Sequence, residues 1–241
     1  RKKQYLTENT FVLEDTKLTV NKSKLYSKPA EKKIQAIKNI KHRIGPSDFI
    51  HGKPFNQSWL KNLFGDQPFR RYIEFLKPWV DFLKANTING EKEHDSKTGR
   101  YLPGNYFDCT PFNLIISTDG KINYFDREWE ITESLEFEFI VFRGIYHDLL
   151  RYRYWYQRTG LFGDLTTIEW IEKVFAELSI SITEEDILTG FLEKELMFQQ
   201  EINGIFDKYN SHINANDCLT LMRESLINEK GPLLPGMVDS I

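Results

Sequence analysis

Residues 101–130 read Tyr101-Leu-Pro-Gly-Asn-Tyr-Phe-Asp108-Cys-Thr-Pro111-Phe-Asn113-Leu-Ile-Ile116-Ser-Thr-Asp-Gly120-Lys-Ile122-Asn-Tyr-Phe125-Asp126-Arg-Glu128-Trp129-Glu130. Within this stretch two short apolar runs, 114–116 and 122–125, flank a Thr-Asp-Gly segment at 118–120. Apolar, β-branched and aromatic residues on both sides of such a turn predict a β-hairpin.

Polar side chains stand at the outer ends of the two predicted strands. Asp108 and Asn113 precede the first strand and Asp126 follows the second, so closure of the hairpin is expected to bring the three together. Carboxylate and amide oxygens are ligands for Mg²⁺, which takes its remaining ligands from water and substrate phosphates. The order Asp, Asn, hairpin, Asp is also found in kinase-like enzymes. Each residue alone has an ordinary explanation, because Asp and Asn are common in turns and caps.

The stretch resembles the aminoglycoside phosphotransferase and choline kinase branch of the protein-kinase-like superfamily, whose catalytic loop reads Asp-x-x-Pro-x-Asn and whose metal motif reads Ile-Asp-x-Glu. The matching segments here are Asp108-Cys-Thr-Pro111-Phe-Asn113 and Phe125-Asp126-Arg-Glu128. With a tryptophan following, the second segment looks most like the kinase-type modules attached to bacterial glycan-processing methyltransferases and glycosyltransferases. The resemblance implies that Asp108 is the catalytic base or orients the acceptor hydroxyl, and that Asn113 and Asp126 are Mg²⁺ ligands.

The first part of the chain predicts a strand pair. Runs 11–14 and 17–22 look like strands on either side of Asp15-Thr16, with alternation strongest at Leu18, Val20 and Lys22, which is typical of a hairpin. In the family that the motif resembles, a strand lysine reaches the nucleotide phosphates and a small apolar residue two positions earlier lines the adenine pocket. Lys22 and Val20 fit these roles, with Lys24 as the second choice of lysine; a solvated strand lysine is the ordinary alternative.

A helix is predicted to begin at Pro29, with Glu31 in its first turn. Its apolar residues are Ile34, Ile37 and Ile40. The resemblance assigns Glu31 to pairing with the strand lysine, whereas stabilisation of the helix N-terminus explains this carboxylate equally well. Segment 47–55 is predicted to be a short strand that breaks at Gly52, and it resembles the adenine-binding hinge between the lobes of small-molecule kinases.

Most of the remaining sequence predicts helices. A helix at 69–86 has an apolar stripe that Pro78 should kink or split, and the polar segment 89–99 is expected to be a loop. Further helices are expected at 137–156, 166–178, 183–206 and 214–227, followed by a frayed tail at 231–236. The aromatic residues of 137–156 are interleaved with arginines; burial in a core is favoured over stacking on sugars or bases.

Composition limits the classes of protein. Hydrophobic residues make up 40% of the chain and 32 basic residues face 35 acidic ones, giving a net charge of −3, so a folded core is expected and no basic field points to nucleic acid or an anionic membrane. Two cysteines form neither a disulfide framework nor a zinc motif, and Cys109 is expected to fill space, because a nucleophile would need a paired base. No membrane-spanning run or signal peptide is visible, which together with the cysteine usage predicts a cytoplasmic protein.

These patterns and the resemblance predict an α+β, bilobal protein-kinase-like fold. Its small β-containing lobe, complete or truncated, is expected at 1–55 with nucleotide-contacting strands and one helix. A mainly helical lobe with the catalytic loop and the metal-binding hairpin is expected at 56–241. The expected function is ATP- and Mg²⁺-dependent phosphoryl transfer to a hydroxyl of a small molecule or glycan.

Two features depart from the family pattern. The first glycine of the chain is Gly45, so no glycine-rich loop precedes the Lys22 strand, and Tyr106-Phe107 stands where a histidine or basic residue usually precedes the catalytic Asp. The start at Arg1, without a methionine, suggests one part of a longer protein. An inactive kinase-like binding module, fused to or docked beside a methyltransferase or glycosyltransferase, therefore stays open as an alternative. A third possible function is a metal-dependent hydrolase that uses the same oxygen cluster.

Overall fold

The computed structural model describes residues 6–25, 40–62, 64–92, 95–203 and 215–230, and these form an α+β chain. Its strands are β1 (Thr7–Glu14), β2 (Lys17–Lys24), β3 (Ile40–His42), β4 (Pro46–Asp48), β5 (Gly52–Pro54), β6 (Ile88–Lys92), β7 (Asp95–Leu102), β8 (Leu114–Ser117), β9 (Ile122–Tyr124), β10 (Trp129–Ile131) and β11 (Leu135–Glu136). Its helices are α1 (Asn56–Asn62), α2 (Pro68–Ala85), α3 (Phe137–Thr159), α4 (Thr167–Glu177), α5 (Leu192–Asn203) and α6 (Ala215–Asn228).

The strands form small antiparallel sheets with the orders β1-β2-β4, β3-β10, β6-β7-β11 and β5-β8-β9. The β1–β2 pair runs in unbroken register from Thr7 opposite Lys24 to Glu14 opposite Lys17. Asp15 in the turn has φ 54°, a left-handed conformation that Asp tolerates better than most residues. The predicted N-terminal hairpin is confirmed, with strands longer than the sequence indicated.

The predicted hairpin at 114–125 is also confirmed. In β8 and β9, Leu114 lies opposite Tyr124 and Ile116 opposite Ile122, and Gly120 supplies φ 80° in the turn. On its other edge β8 pairs with β5, where Lys53 lies opposite Ile116. The predicted strand break at Gly52 is wrong, because Gly52 begins β5. A Cβ at this position would lie 2.2 Å from the Ile116 carbonyl oxygen, so close backbone approach explains the glycine.

Three other predictions need correction. Ile40 belongs to β3 and not to a helix, whereas the remaining residues of that predicted helix, Glu31 included, lie outside the described residues. The segment predicted as a loop at 89–99 is largely the β6–β7 hairpin, with Gly90 opposite Gly99. Its polar composition concealed strands that are held by backbone pairing. Helix α2 runs through Pro78 without a split, because the apolar face around the proline is buried.

The helices carry most of the core. The largest fully buried side chains include Trp59, Trp79, Trp129 and Trp170. The capping box predicted for α4 is present between Thr166 and Glu169, and Thr183 and Asp186 bond each other's backbone N–H groups where the next helical segment begins. That segment is π-helical from Asp186 to Phe191 and continues as α5. The predicted end at 206 and the tail lie outside the described residues.

Core packing accounts for part of the aromatic run in α3. Phe139, Phe142, Tyr146 and Tyr156 are buried, as favoured from the sequence, whereas Tyr154 and Trp155 are 60% and 45% exposed. Cys109 is buried too, and burial raises the pKa of its thiol, which confirms it as a packing residue. Within the described ranges, no helix has the length and apolar character needed to cross a bilayer.

Candidate functional site

The β8–β9 hairpin brings the ends of its two strands together. The backbone N–H of Phe125 donates to the carbonyl oxygen of Asn113 at 3.1 Å. Asp126, the next residue, therefore follows directly on a backbone contact with Asn113. The ends of the two strands are therefore adjacent, as the predicted hairpin requires.

Asp108 lies against Asn113 on the same side of the hairpin. The Asn113 side-chain amide donates to Asp108 Oδ2 at 3.0 Å and to the Asp108 carbonyl oxygen at 2.8 Å. Arg143 Nη1, from α3, donates to Asp108 Oδ1 at 2.6 Å. Both carboxylate oxygens are thus held by nitrogen donors, while the side chain keeps 20% of its surface exposed. The carboxylate is fixed in direction but still reaches solvent.

The loop that carries Asp108 is anchored from α2. The indole N–H of Trp79 donates to the Cys109 carbonyl oxygen at 2.8 Å, and this hydrogen bond is buried. Gly144 of α3 lies directly against the Trp79 ring and Pro111, since a Cβ there would lie 2.3 Å from Trp79 and 3.2 Å from Pro111. Contacts from α2 and α3 therefore fix the position of the loop that carries Asp108.

Lys22 extends from β2 to the end of the hairpin. Its Nζ donates to Asp126 Oδ1 at 2.6 Å and to Glu128 Oε2 at 2.9 Å, and 18% of its side chain is exposed. Burial alone would lower the pKa of Lys22, but hydrogen bonding and charge attraction from Asp126 and Glu128 outweigh it and raise that pKa. The lysine is therefore a charged group that neutralises two carboxylates.

Glu128 is the buried member of this cluster. Its other carboxylate oxygen, Oε1, lies 2.9 Å from His42 Nε2, and only 3% of the side chain is exposed. The His42 ring stacks on Trp129 with centroids 4.5 Å apart, because the β3–β10 pairing sets these two residues opposite each other. The β3–β10 pairing therefore holds His42 against Oε1 of Glu128, and Oε2 is left directed at Lys22.

The remaining predicted site residues are Val20, Lys24 and Glu31. Val20 is half-buried on the face of β2 that carries Lys22, since residues two apart on a strand share a face. Lys24, the second choice of lysine, is exposed at the strand end. Glu31 lies outside the described residues, so its assigned pairing with Lys22 has no structural account here.

A tyrosine hydroxyl lies buried among these groups. Tyr124, on β9, is 4% exposed, and its hydroxyl has no hydrogen-bond partner among the described residues. Burial, together with the negative charges of Asp108 and Asp126, raises the pKa of this phenol well above its ordinary range.

The oxygen donors of Asn113 and Asp126 fit a magnesium ion that completes its shell with water and phosphate oxygens. Lys22 bonds Oδ1 of Asp126, and no hydrogen bond from another described residue reaches Oδ2. Within the described part of the chain, no group of three or more His, Cys, Asp or Glu side chains could hold a metal by itself. A cation at this position would therefore depend on ligands brought by a substrate.

Sequence reasoning did not assign several residues of this cluster. Glu128 was visible in the motif, and Arg143 had a signal as the one charged residue in the apolar run 139–146. His42 had none, because its role arises from a contact with Glu128, which is far from it in the sequence. Comparisons with protein-family models, curated proteins and solved structures gave no match for this chain.

Proposed function

We propose that this protein transfers a phosphoryl group from ATP to a hydroxyl of a small molecule or glycan, with Mg²⁺, through a bilobal kinase-like fold divided near Phe55. The observation that carries the proposal is the contact of Lys22 with Asp126 and Glu128. A cation from the N-terminal sheet meets the carboxylates at the end of the hairpin, beside Asp108 and Asn113. Phosphoryl transfer needs this combination, because its demands are positioning and charge neutralisation.

Each residue has a distinct task in this proposal. Asn113 and Asp126 would hold Mg²⁺, which when bound neutralises charge on the transferred phosphoryl group. Lys22 binds the nucleotide phosphates and Val20 contacts the base. Asp108 accepts a hydrogen bond from the acceptor hydroxyl and directs it towards phosphorus.

Nucleotide binding requires Lys22 to change partners. Its bond to Asp126 competes with a metal at the same carboxylate, whereas its bond to Glu128 does not involve a proposed ligand. Since Glu128 is buried and fixed by His42, it can retain the lysine while Asp126 is released to the metal. Glu128 then serves the purpose that the family resemblance assigned to Glu31.

The test separates binding from turnover by comparing Asp126→Asn with Asp108→Asn. Asp126→Asn should weaken Mg²⁺–ATP binding about tenfold or more, because it removes a metal ligand present before the reaction. Asp108→Asn should bind within about twofold of wild type and lose turnover, because it acts on the acceptor. Calorimetry measures binding, and ADP formation with a panel of sugars and small alcohols measures turnover.

Asp119→Asn is the matched control. This aspartate lies in the turn of the same hairpin, is exposed and pairs with Lys121, so it should change neither quantity. Equal loss of nucleotide binding in the Asp108 and Asp126 variants would contradict the assigned roles.

The second candidate is a kinase-like binding module without turnover, docked beside or fused to a glycan-modifying enzyme. One observation favours it: Lys22 and both oxygens of Asp108 are already engaged by protein groups. Under this alternative the wild-type protein forms no ADP with any acceptor of the panel.

A further inference from the structure

Behind Asp108 lies a row of three charged or titratable side chains, Arg143, Glu195 and His147, which we call the ladder. Arg143 donates to Asp108 on one side, and its Nε lies 2.9 Å from Glu195 Oε2 on the other, at an angle outside hydrogen-bond geometry. Glu195 Oε1 in turn lies 2.7 Å from His147 Nε2 and accepts a hydrogen bond from the Gln199 amide at 2.6 Å. The ladder connects the candidate site to α5 through α3.

The middle of this ladder is closed to solvent. Side-chain exposure is 4% for Arg143 and 0% for Glu195. Burial opposes ionisation of Glu195, but the charges of Arg143 and His147 outweigh it and lower the pKa of Glu195 to about 2. These neighbours therefore favour the ionised carboxylate of Glu195, and its complete burial keeps it away from a substrate.

Stability alone is a weak explanation for this arrangement. A buried ion pair is often no more stabilising than a well-packed apolar pair, since both charges lose their hydration. What it does provide is direction: a guanidinium is planar and its donors have fixed angles. The Arg143 group is also held over the rings of Phe107 and Phe198, 4.2 and 5.0 Å from their centroids.

We propose that Arg143, Glu195 and His147 are positioning residues that fix the Asp108 carboxylate as the acceptor for the substrate hydroxyl. Glu195 holds one edge of the guanidinium, which presents Nη1 to Asp108 Oδ1. Asn113 holds the other oxygen, so the free lone pairs of the carboxylate keep one direction. The inference rests on the proposed function for its catalytic meaning, whereas the ladder's control of Asp108 is testable without turnover.

The main variant is Glu195→Gln, which keeps the shape of the side chain and removes its charge. Glu193→Gln is the control, because Glu193 lies on the same helix and pairs with Arg223 at the surface. Phosphate release from Mg²⁺–ATP, with water as the acceptor, should fall about tenfold at saturating nucleotide in Glu195→Gln. Nucleotide affinity should stay within about twofold of wild type, and Glu193→Gln should change neither.

A second measurement does not depend on turnover. In protein labelled with ¹³C at the aspartate carboxyl carbons, the Asp108 resonance is identified by its loss in Asp108→Asn. It should shift in Glu195→Gln and stay fixed in Glu193→Gln, since only the former changes the guanidinium that contacts Asp108. A wild-type protein that forms no ADP with any acceptor of the panel would oppose the proposed function, whereas an unmoved Asp108 resonance would overturn the ladder.

His147→Ala covers the case in which Glu195→Gln does not fold. His147 is at the outer end of the ladder with 24% of its side chain exposed, so truncation is tolerated more readily there. The same resonance should shift, by less than in Glu195→Gln. If it is unchanged in His147→Ala and no soluble Glu195→Gln is obtained, the ladder acts only in folding and the positioning role is rejected.

Discussion

Lys22 and Lys24 are chemically identical side chains on one face of β2, yet their surroundings differ. Lys22 contacts two carboxylates and is mostly buried, whereas Lys24 is exposed at the strand end. Lys22→Ala should lower the affinity for Mg²⁺–ATP by about 1.5–3 kcal/mol, because it removes a charge-assisted contact in a partly desolvated position. Lys24→Ala should cost less than about 1 kcal/mol, as exposed charges usually do. Calorimetric titration of both variants measures the difference.

The opposite ranking of the two variants would show that the strand lysine used for phosphate is Lys24. Thermal denaturation of Lys22→Ala without nucleotide is needed beside the titration, because this variant also leaves Glu128 buried without its cation. A loss of affinity that merely followed a loss of folded protein would not support a phosphate contact.

Asp148 is a buried carboxylate with no part in the proposed chemistry. It accepts hydrogen bonds from the hydroxyls of Tyr72 and Tyr156 through Oδ2, and Oδ1 has no partner among the described residues. Burial raises the pKa of Asp148 to about 7, although the two hydroxyls and Arg151 favour the charged form. The native protein therefore holds a proton here that the unfolded chain releases near pH 4.

The pH dependence follows from this difference. Between about pH 4 and pH 7 the native state binds more protons than the unfolded state, so the free energy of unfolding falls as pH rises, by up to about 1.4 kcal/mol per unit. Asp148→Asn removes this term while its amide oxygen still accepts from both tyrosines. Urea denaturation should show the variant close to wild type at pH 4.5 and more stable by a few kcal/mol at pH 8.

Asp81→Asn is the matched control, because Asp81 is exposed on α2. The free energy of unfolding of this variant should differ from that of wild type by the same amount at pH 4.5 and at pH 8. A constant difference between Asp148→Asn and wild type would mean that Asp148 is ionised in the folded protein across this range.

The packing of α3 on α2 links the core to the candidate site. Gly144 allows the two helices to approach, and Trp79 transmits the contact to the loop through its bond to the Cys109 carbonyl. Gly144→Ala should destabilise the protein by about 1–3 kcal/mol, because the new methyl group overlaps the Trp79 ring. It should also reduce turnover, since a shift of the indole disturbs its hydrogen bond to the Cys109 carbonyl in the loop. Chemical denaturation and ADP formation measure the two effects.

Gly190→Ala provides the comparison, because a Cβ at Gly190 meets no atom within 4 Å. It should be neutral or stabilise the protein by up to about 1 kcal/mol through helix propensity. Equal free energies of unfolding for Gly144→Ala and Gly190→Ala would mean that α2 and α3 move apart without loss of stability.

The elements that the sequence predicted well are those with local signals. The β8–β9 hairpin has its turn glycine, and α4 has its capping box, so residues close in sequence determine both. The β6–β7 hairpin was missed because its strands lack apolar alternation. A kink or split was expected at Pro78, and the split is absent because local rules for proline ignore the burial of Trp79 and Val80 beside it. The Arg143–Glu195 pair joins two distant helices, and no local pattern could reveal it.

The site as a whole has more negative than positive charge. Asp108, Asp126 and Glu128 face Lys22 and Arg143, and Arg143 is also shared with Glu195. A triphosphate without a cation would add negative charge beside these carboxylates. Among the described residues, a cation without a triphosphate would find Asn113 and Asp126 as its proposed ligands, with Lys22 bound to Asp126. Binding of nucleotide and binding of metal should therefore depend on each other.

The whole protein should respond by a cooperative gain in thermal stability. A ligand at about 100 times its dissociation constant adds about 2.7 kcal/mol to the free energy of unfolding, which for a chain of this size raises Tm by about 5–10 °C. We expect this increase with Mg²⁺ and ATP together, and an increase of less than about 2 °C with either alone at matched ionic strength. Asp126→Asn should lose the combined increase, and the exposed Asp119→Asn should retain it. Equal increases in Tm with ATP alone and with ATP plus Mg²⁺ would mean that the metal takes no part in binding. No increase in Tm with ATP plus Mg²⁺ would reject nucleotide binding.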